Sequence, residues 1–135
     1  MKELLTFYGE TDGSTVGTDW DDPAVMSLRS DIIRGTIEYF RIPKGMKAKI
    51  WCKRISGRGP TDIVIQFTRD VTVASPTWIT MDVLSLSSDG ELTLEKRKPI
   101  IIRSTTGKKA IRVGWYHPDG TAKKTAVAIE VELDG

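Results

Sequence analysis

Residues 46–53, MKAKIWCK, alternate side chain by side chain: Met46, Ala48, Ile50 and Cys52 fall on one side, and Lys47, Lys49, Trp51 and Lys53 on the other. A period of two marks a strand with one face in a core and the other turned to water. The same alternation returns at Ile63, Ile65 and Phe67; at Ile79, Met81 and Val83; at Leu92 and Leu94; at Ile111, Val113 and Trp115; and at Val127, Ile129, Val131 and Leu133. Between these runs stand turn formers: Pro43 to Gly45, Ser56 to Pro60, Ser88 to Gly90, Thr106 with Gly107, and Pro118 to Gly120. Strands recurring about every ten residues, with no sustained helical pattern, predict an all-β, single-domain antiparallel β-sandwich of about eight strands, jelly-roll-like in type.

At 135 residues, 39% hydrophobic and 28% charged, the chain fits one globular domain that buries a sizeable core without metals or disulfides. Cys52 is its only cysteine, which rules out an internal disulfide and fits a reducing compartment. Placed with Ala48 and Ile50, it is expected to be a buried, inert thiol. No apolar run approaches the roughly 20 residues of a membrane helix, and MKELLTFYGE has no export-signal pattern. The expectation is synthesis in the cytoplasm without export and no membrane partner.

Charge is placed unevenly. Residues 1–31 carry seven acids (Glu3, Glu10, Asp12, Asp19, Asp21, Asp22 and Asp31) against Lys2 and Arg29, whereas residues 34–58 carry eight bases against Glu38. Beyond a short strand candidate at residues 4–8 there is no periodicity before residue 32; residues 21–28, DDPAVMSL, offer at most one helical turn. The chain therefore divides, as sequence, into an acidic N-terminal arm over residues 1–31 and a sandwich body over 32–135. A structureless stretch of this length is usually an arm or a functional loop.

Three constellations are candidate contact sites. The arm offers Asp12, Asp19, Asp21 and Asp22 as charge and Trp20, Val25, Met26 and Leu28 as apolar anchors. The basic face offers Arg41, Lys47, Lys49, Lys53 and Arg58 around Trp51, read as an exposed aromatic between lysines. The third is GWYHPDGTAKK, residues 114–124, holding the only histidine. Here His117, Pro118, Asp119 and Gly120 match a turn whose proline presets φ and whose glycine accepts a positive one, so the stretch reads as a hairpin. Its expected tip contacts are Tyr116, His117, Lys123 and Lys124. Trp78 is a further aromatic expected at an interface or capping the core. The carboxylate spacing does not match a calcium loop, and neither phosphate-loop, paired-histidine nor nucleophile-elbow patterns occur; no metal and no cofactor are expected.

These features fit a non-catalytic structural subunit that packs with copies of itself or on an acidic protein lattice, such as a virus capsid or a protein decorating one, with the virion as its destination. In that reading the acidic arm reaches a neighbour's basic strand. The alternative is a carbohydrate-binding module using Trp51, Trp78 or Tyr116. The third reading is a single-stranded nucleic-acid binder using the lysines around Trp51. An enzyme is not expected.

Overall fold

A computed structural model describes residues 2–94 and 98–135. It is all-β, with eleven strands: β1 (Lys2–Glu10), β2 (Ala24–Val25), β3 (Leu28–Arg29), β4 (Phe40–Arg41), β5 (Met46–Gly57), β6 (Thr61–Thr68), β7 (Ile79–Leu86), β8 (Gly90–Thr93), β9 (Ile100–Ser104), β10 (Ala110–Tyr116) and β11 (Thr125–Asp134). Eight have four residues or more, and β2, β3 and β4 have two each. Two antiparallel sheets pack into a sandwich. The larger runs β3-β1-β11-β5-β8, with β9 also on β5; the smaller runs β2-β10-β6-β7, with β4 also on β10. The alternating sets predicted on β5, β6, β10 and β11 meet between the sheets, where Ala48, Ile50, Ile63, Ile65, Val113, Trp115, Ile129 and Val131 are buried. Cys52 joins them.

Two bulges redirect this alternation. In β5, Cys52 pairs with Ile129 but Arg54 pairs with Ala128, so Lys53 is an extra residue and the next inward side chain is Ile55, fully buried. Adjacent Lys53 and Arg54 thus both stay in water, as an inserted residue allows. In β7, Met81 is the extra residue between Asp82 and Thr80. Here the predicted buried face at Ile79, Met81 and Val83 needs correction. β7 is the terminal strand of the smaller sheet, and Ile79 and Met81 are 39% and 45% exposed.

The N-terminal residues are not a free arm. β1 pairs with β11 from Lys2 to Glu10, in the middle of the larger sheet. The chain then crosses to the smaller sheet, where the Trp115 indole donates to the Thr15 carbonyl and the His117 amide donates to the Val16 carbonyl. β2 pairs with β10, Met26 N–H donates to the Val113 carbonyl, and β3 returns to pair with β1. No helical turn forms at residues 21–28. Met26 and Leu28, expected to anchor the segment on its own subunit or on a neighbour, are 0% and 2% exposed in the chain's own core. The strap fits because both sheets offer it glycine: a Cβ on Gly9 would lie 2.5 Å from the Met26 sulfur, and one on Gly114 would lie 2.5 Å from the Ala24 carbonyl oxygen.

The stretch 114–124 also needs correction. Its turn is present, with Gly120 at φ 77° and its amide donating to the His117 carbonyl. It is not a hairpin, because β10 and β11 belong to different sheets. It carries the chain across the sandwich.

If the strap is core rather than arm, Met26→Ala should cost about 2–5 kcal/mol in urea unfolding. A loss below about 0.5 kcal/mol, the range of surface substitutions, would mean that residue 26 is not packed.

Candidate functional site

In the acidic segment each of the first two carboxylates is turned to its own backbone. Asp12 accepts from the Ser14 and Thr15 amides and the Thr15 hydroxyl, and that hydroxyl, then the Ser14 amide, hold its pKa down to about 2. Asp19 accepts from the Asp21 and Asp22 amides. Trp20 is 52% exposed, yet tied down: its indole donates to Asp62 at 2.8 Å, and its carbonyl accepts the Thr80 hydroxyl at 2.7 Å. This loop crosses the outer face of the smaller sheet, where Val64 and Gln66 have no exposed surface and Asp62 has 5%. Gln66 accepts from Arg112 Nε and donates to Thr80; Asp62 also accepts from Ser85. The Arg112 guanidinium stacks 4.3 Å from the Trp78 ring, with Tyr39 beside it. Val25 remains exposed.

The predicted basic face is not assembled as one surface. Arg41 lies on the smaller sheet, paired through β4 and donating to the Gly107 carbonyl. Arg58 sits in the β5–β6 turn, 3.7 Å from Asp89. Lys47 and Lys49 stand opposite Asp134 and Glu132 of β11 in register, where opposite charges on facing strands attract, and Glu132 also pairs with Lys2 at 3.7 Å. Trp51, expected in the open between lysines, is 8% exposed. It lines a slot of about 570 Å³ with Met81, Leu84, Leu94, Ile100 and Ile101. Asp82 and Lys98 also line it, and Ile101 is 56% exposed.

The third constellation also falls apart as a contact tip. Tyr116 is half-buried and His117 has no exposed surface. Lys123 bonds Asp119 at 2.6 Å, a bond that is the main cause holding the Asp119 carboxyl below its usual range. Only Lys124 is exposed. The imidazole is built into the strand ends: Nδ1 lies 3.1 Å from the Thr61 hydroxyl, and Nε2 accepts the Lys123 amide. Thr61 and Thr125 both donate to the Arg58 carbonyl, so the network favours the neutral tautomer with its proton on Nδ1.

What the fold does bring together was not visible as a cluster in the sequence. Across the outer face of the larger sheet, Arg54, Ala128, Tyr8 and Arg29 lie in one row of register over β5, β11, β1 and β3. Three strand intervals place the two arginine backbones about 14 Å apart. Small side chains at Ala126 and Ala128 leave a trough, and a groove of about 600 Å³ is lined by Tyr8, Glu10, Arg29, Arg54, Lys124 and Ala126, among others. A second hollow of about 280 Å³ shares Tyr8 and Arg54 and adds Lys53 and Glu91. Neither arginine has an ion pair among the described residues. Among the described residues Lys124 pairs with Glu10 alone, at 4.0 Å. In the sequence Arg54 is only one of the eight bases of residues 34–58, and its partner Arg29 lies within the segment read as an acidic arm.

No family model matches the chain, and no curated protein matches it in sequence. Among solved structures it is similar to a chain in the structure of infectious bursal disease virus, Gx strain, with a TM-score of 0.48 and 7% identity over 98% of this chain and 32% of that one. The chain thus spans about a third of the length of that protein.

Burial is the main cause that pushes the His117 pKa below 6.5. A base whose folded pKa is depressed leaves the unfolded state holding more protons just below the unfolded value. Its stabilising effect is therefore complete above about pH 6.5 and declines as the pH falls through it. Urea unfolding at about pH 7.5 and 5.5, where the unfolded-state carboxylates are still mostly ionised, should show the protein weaker at the lower pH. His117→Gln should abolish most of that difference; an equal drop in the variant would assign it elsewhere.

Proposed function

We propose that the protein is a non-catalytic assembly subunit that packs with copies of itself or on a larger protein lattice, of the kind that forms or decorates a virion shell. One observation carries this reading: the exposed apolar side chains of β7 and β9, where Met81 and Ile101, 45% and 56% exposed, line the slot floored by Trp51, and Ile79, 39% exposed, lies at the start of β7. Exposed large apolar side chains grouped on one part of a surface mark interaction sites. β7 is a terminal strand of eight residues with Asp82 as its single charge, and such an edge is a template for another chain. The chemistry of the reactive side chains supports a non-catalytic role. His117 is spent in the strand-end network, and burial pushes the Cys52 thiol up to about 12, far from a nucleophile's range.

The competing readings lose the side chains that suggested them. Trp51 is buried, Tyr116 is half-buried and one face of Trp78 is taken by Arg112, which weakens sugar stacking. Of the lysines around Trp51, Lys47 and Lys49 stand opposite acids of β11, which weakens phosphate binding there. Light scattering across a concentration series tests the assembly reading. The mass of the native chain should rise above the 15.0 kDa of a monomer, and Met81→Lys with Ile101→Lys should return it towards that value. A native chain that stays at 15.0 kDa up to about 1 mM, the affinity scale of the weakest specific contacts, would exclude self-assembly.

A further inference from the structure

We propose that the groove between Arg29 and Arg54 receives the acidic loop of residues 19–22 from a second copy of this chain. The inference rests on the assembly reading and names one of its contacts. The groove carries positive charge in excess: Arg29, Arg54 and Lys124 stand against Glu10 and Asp12 in its lining, and neither guanidinium has an ion pair among the described residues. The loop presents the opposite. Asp21 and Asp22 are exposed, have no ion pair among the described residues and directly follow Trp20, half of whose surface is exposed. The loop is also held in shape before binding, by the Trp20 bonds to Asp62 and Thr80 and by the Thr18 amide donating to the Asp22 carbonyl. Preorganisation of this kind lowers the entropy lost on association.

Within one molecule the loop is tied to other partners. It is fixed to the outer face of the smaller sheet by Asp62 and Thr80, whereas Arg29, Arg54 and the alanine floor belong to the larger sheet. The contact therefore joins two different surfaces of successive copies. A head-to-tail contact of this type is heterologous and closes into a ring or continues as an open chain. The exposed apolar side chains of β7 and β9 are a separate surface, so a subunit carries two distinct contacts, which is the minimum for a two-dimensional shell built from one chain.

Charge exchange tests the pairing. Sedimentation velocity is run on the native protein, on R29E/R54E, on D21K/D22K, and on an equimolar mixture of the two variants. All four positions are exposed, and thermal melting confirms that each variant is folded. Either variant alone should associate at least about tenfold more weakly than the native chain. The mixture should regain association, because each reversed groove then meets a reversed loop, and added salt should weaken both the native and the mixed assembly. Association of the variants at native strength overturns the groove but leaves the assembly reading standing. Loss in both variants without recovery in the mixture overturns the loop as occupant. A native chain that is monomeric throughout removes the assembly reading and this contact together.

Discussion

The burial of Met26 and Leu28 by residues of both sheets is the constraint on which the rest of the molecule depends. Residues 11–29 leave β1 in the larger sheet, run beside β10 in the smaller one, and return to β1 as β3. Two buried apolar side chains and a series of backbone hydrogen bonds close that side of the sandwich. The strap works only because Gly9 and Gly114 leave room at the two backbones it crosses. Without it, Trp115 would lack a partner for its indole N–H, and the outer face carrying Asp62, Val64 and Gln66 would lie open to water.

The strap also fixes where charge is displayed. It presents Asp19, Asp21 and Asp22 over the smaller sheet and, a few residues later, Arg29 on the edge of the larger one. Asp19, Asp21 and Asp22 thus lie over the smaller sheet while Arg29 and Arg54 belong to the larger one, instead of on an arm and a separate receiving strand. Exposed ion pairs contribute only about 0.2–1 kcal/mol each. In an assembly they set register and partner choice, while apolar surface such as that around Ile79, Met81 and Ile101 supplies most of the affinity.

The two-sheet architecture was legible in the alternation of β5, β6, β10 and β11, because burial of one face writes itself into every second residue. Features set by distant chain were not. Asp62 and Gln66 alternate with Ile63 and Ile65, yet both are buried because a loop some 40 residues away in sequence lies across them. Trp51 read as exposed because its neighbours are lysines, but it lines a slot with residues of β7 and β9. The bulge at Lys53 could be suspected only from two adjacent charges before Ile55. Period and turn chemistry cannot say whether Pro118 to Gly120 joins partners or crosses between sheets, since either connection uses the same turn. Of the candidate site, Arg54 was legible as charge; its place beside Tyr8 and Arg29 follows from strand order, which local pattern does not encode.

Zero-length carboxylate-to-amine cross-linking of an equal mixture of ¹⁴N- and ¹⁵N-labelled protein tests the central claim most directly. Lys53 and Lys124 line the connected grooves, and Asp21 and Asp22 are exposed on the loop. The account predicts mass spectra in which peptides containing Asp21 or Asp22 are joined to peptides containing Lys53 or Lys124 in mixed-isotope form, marking the bond as intermolecular. Cross-links between those residues only in pure-isotope pairs, or mixed pairs that avoid the groove lysines, would contradict it.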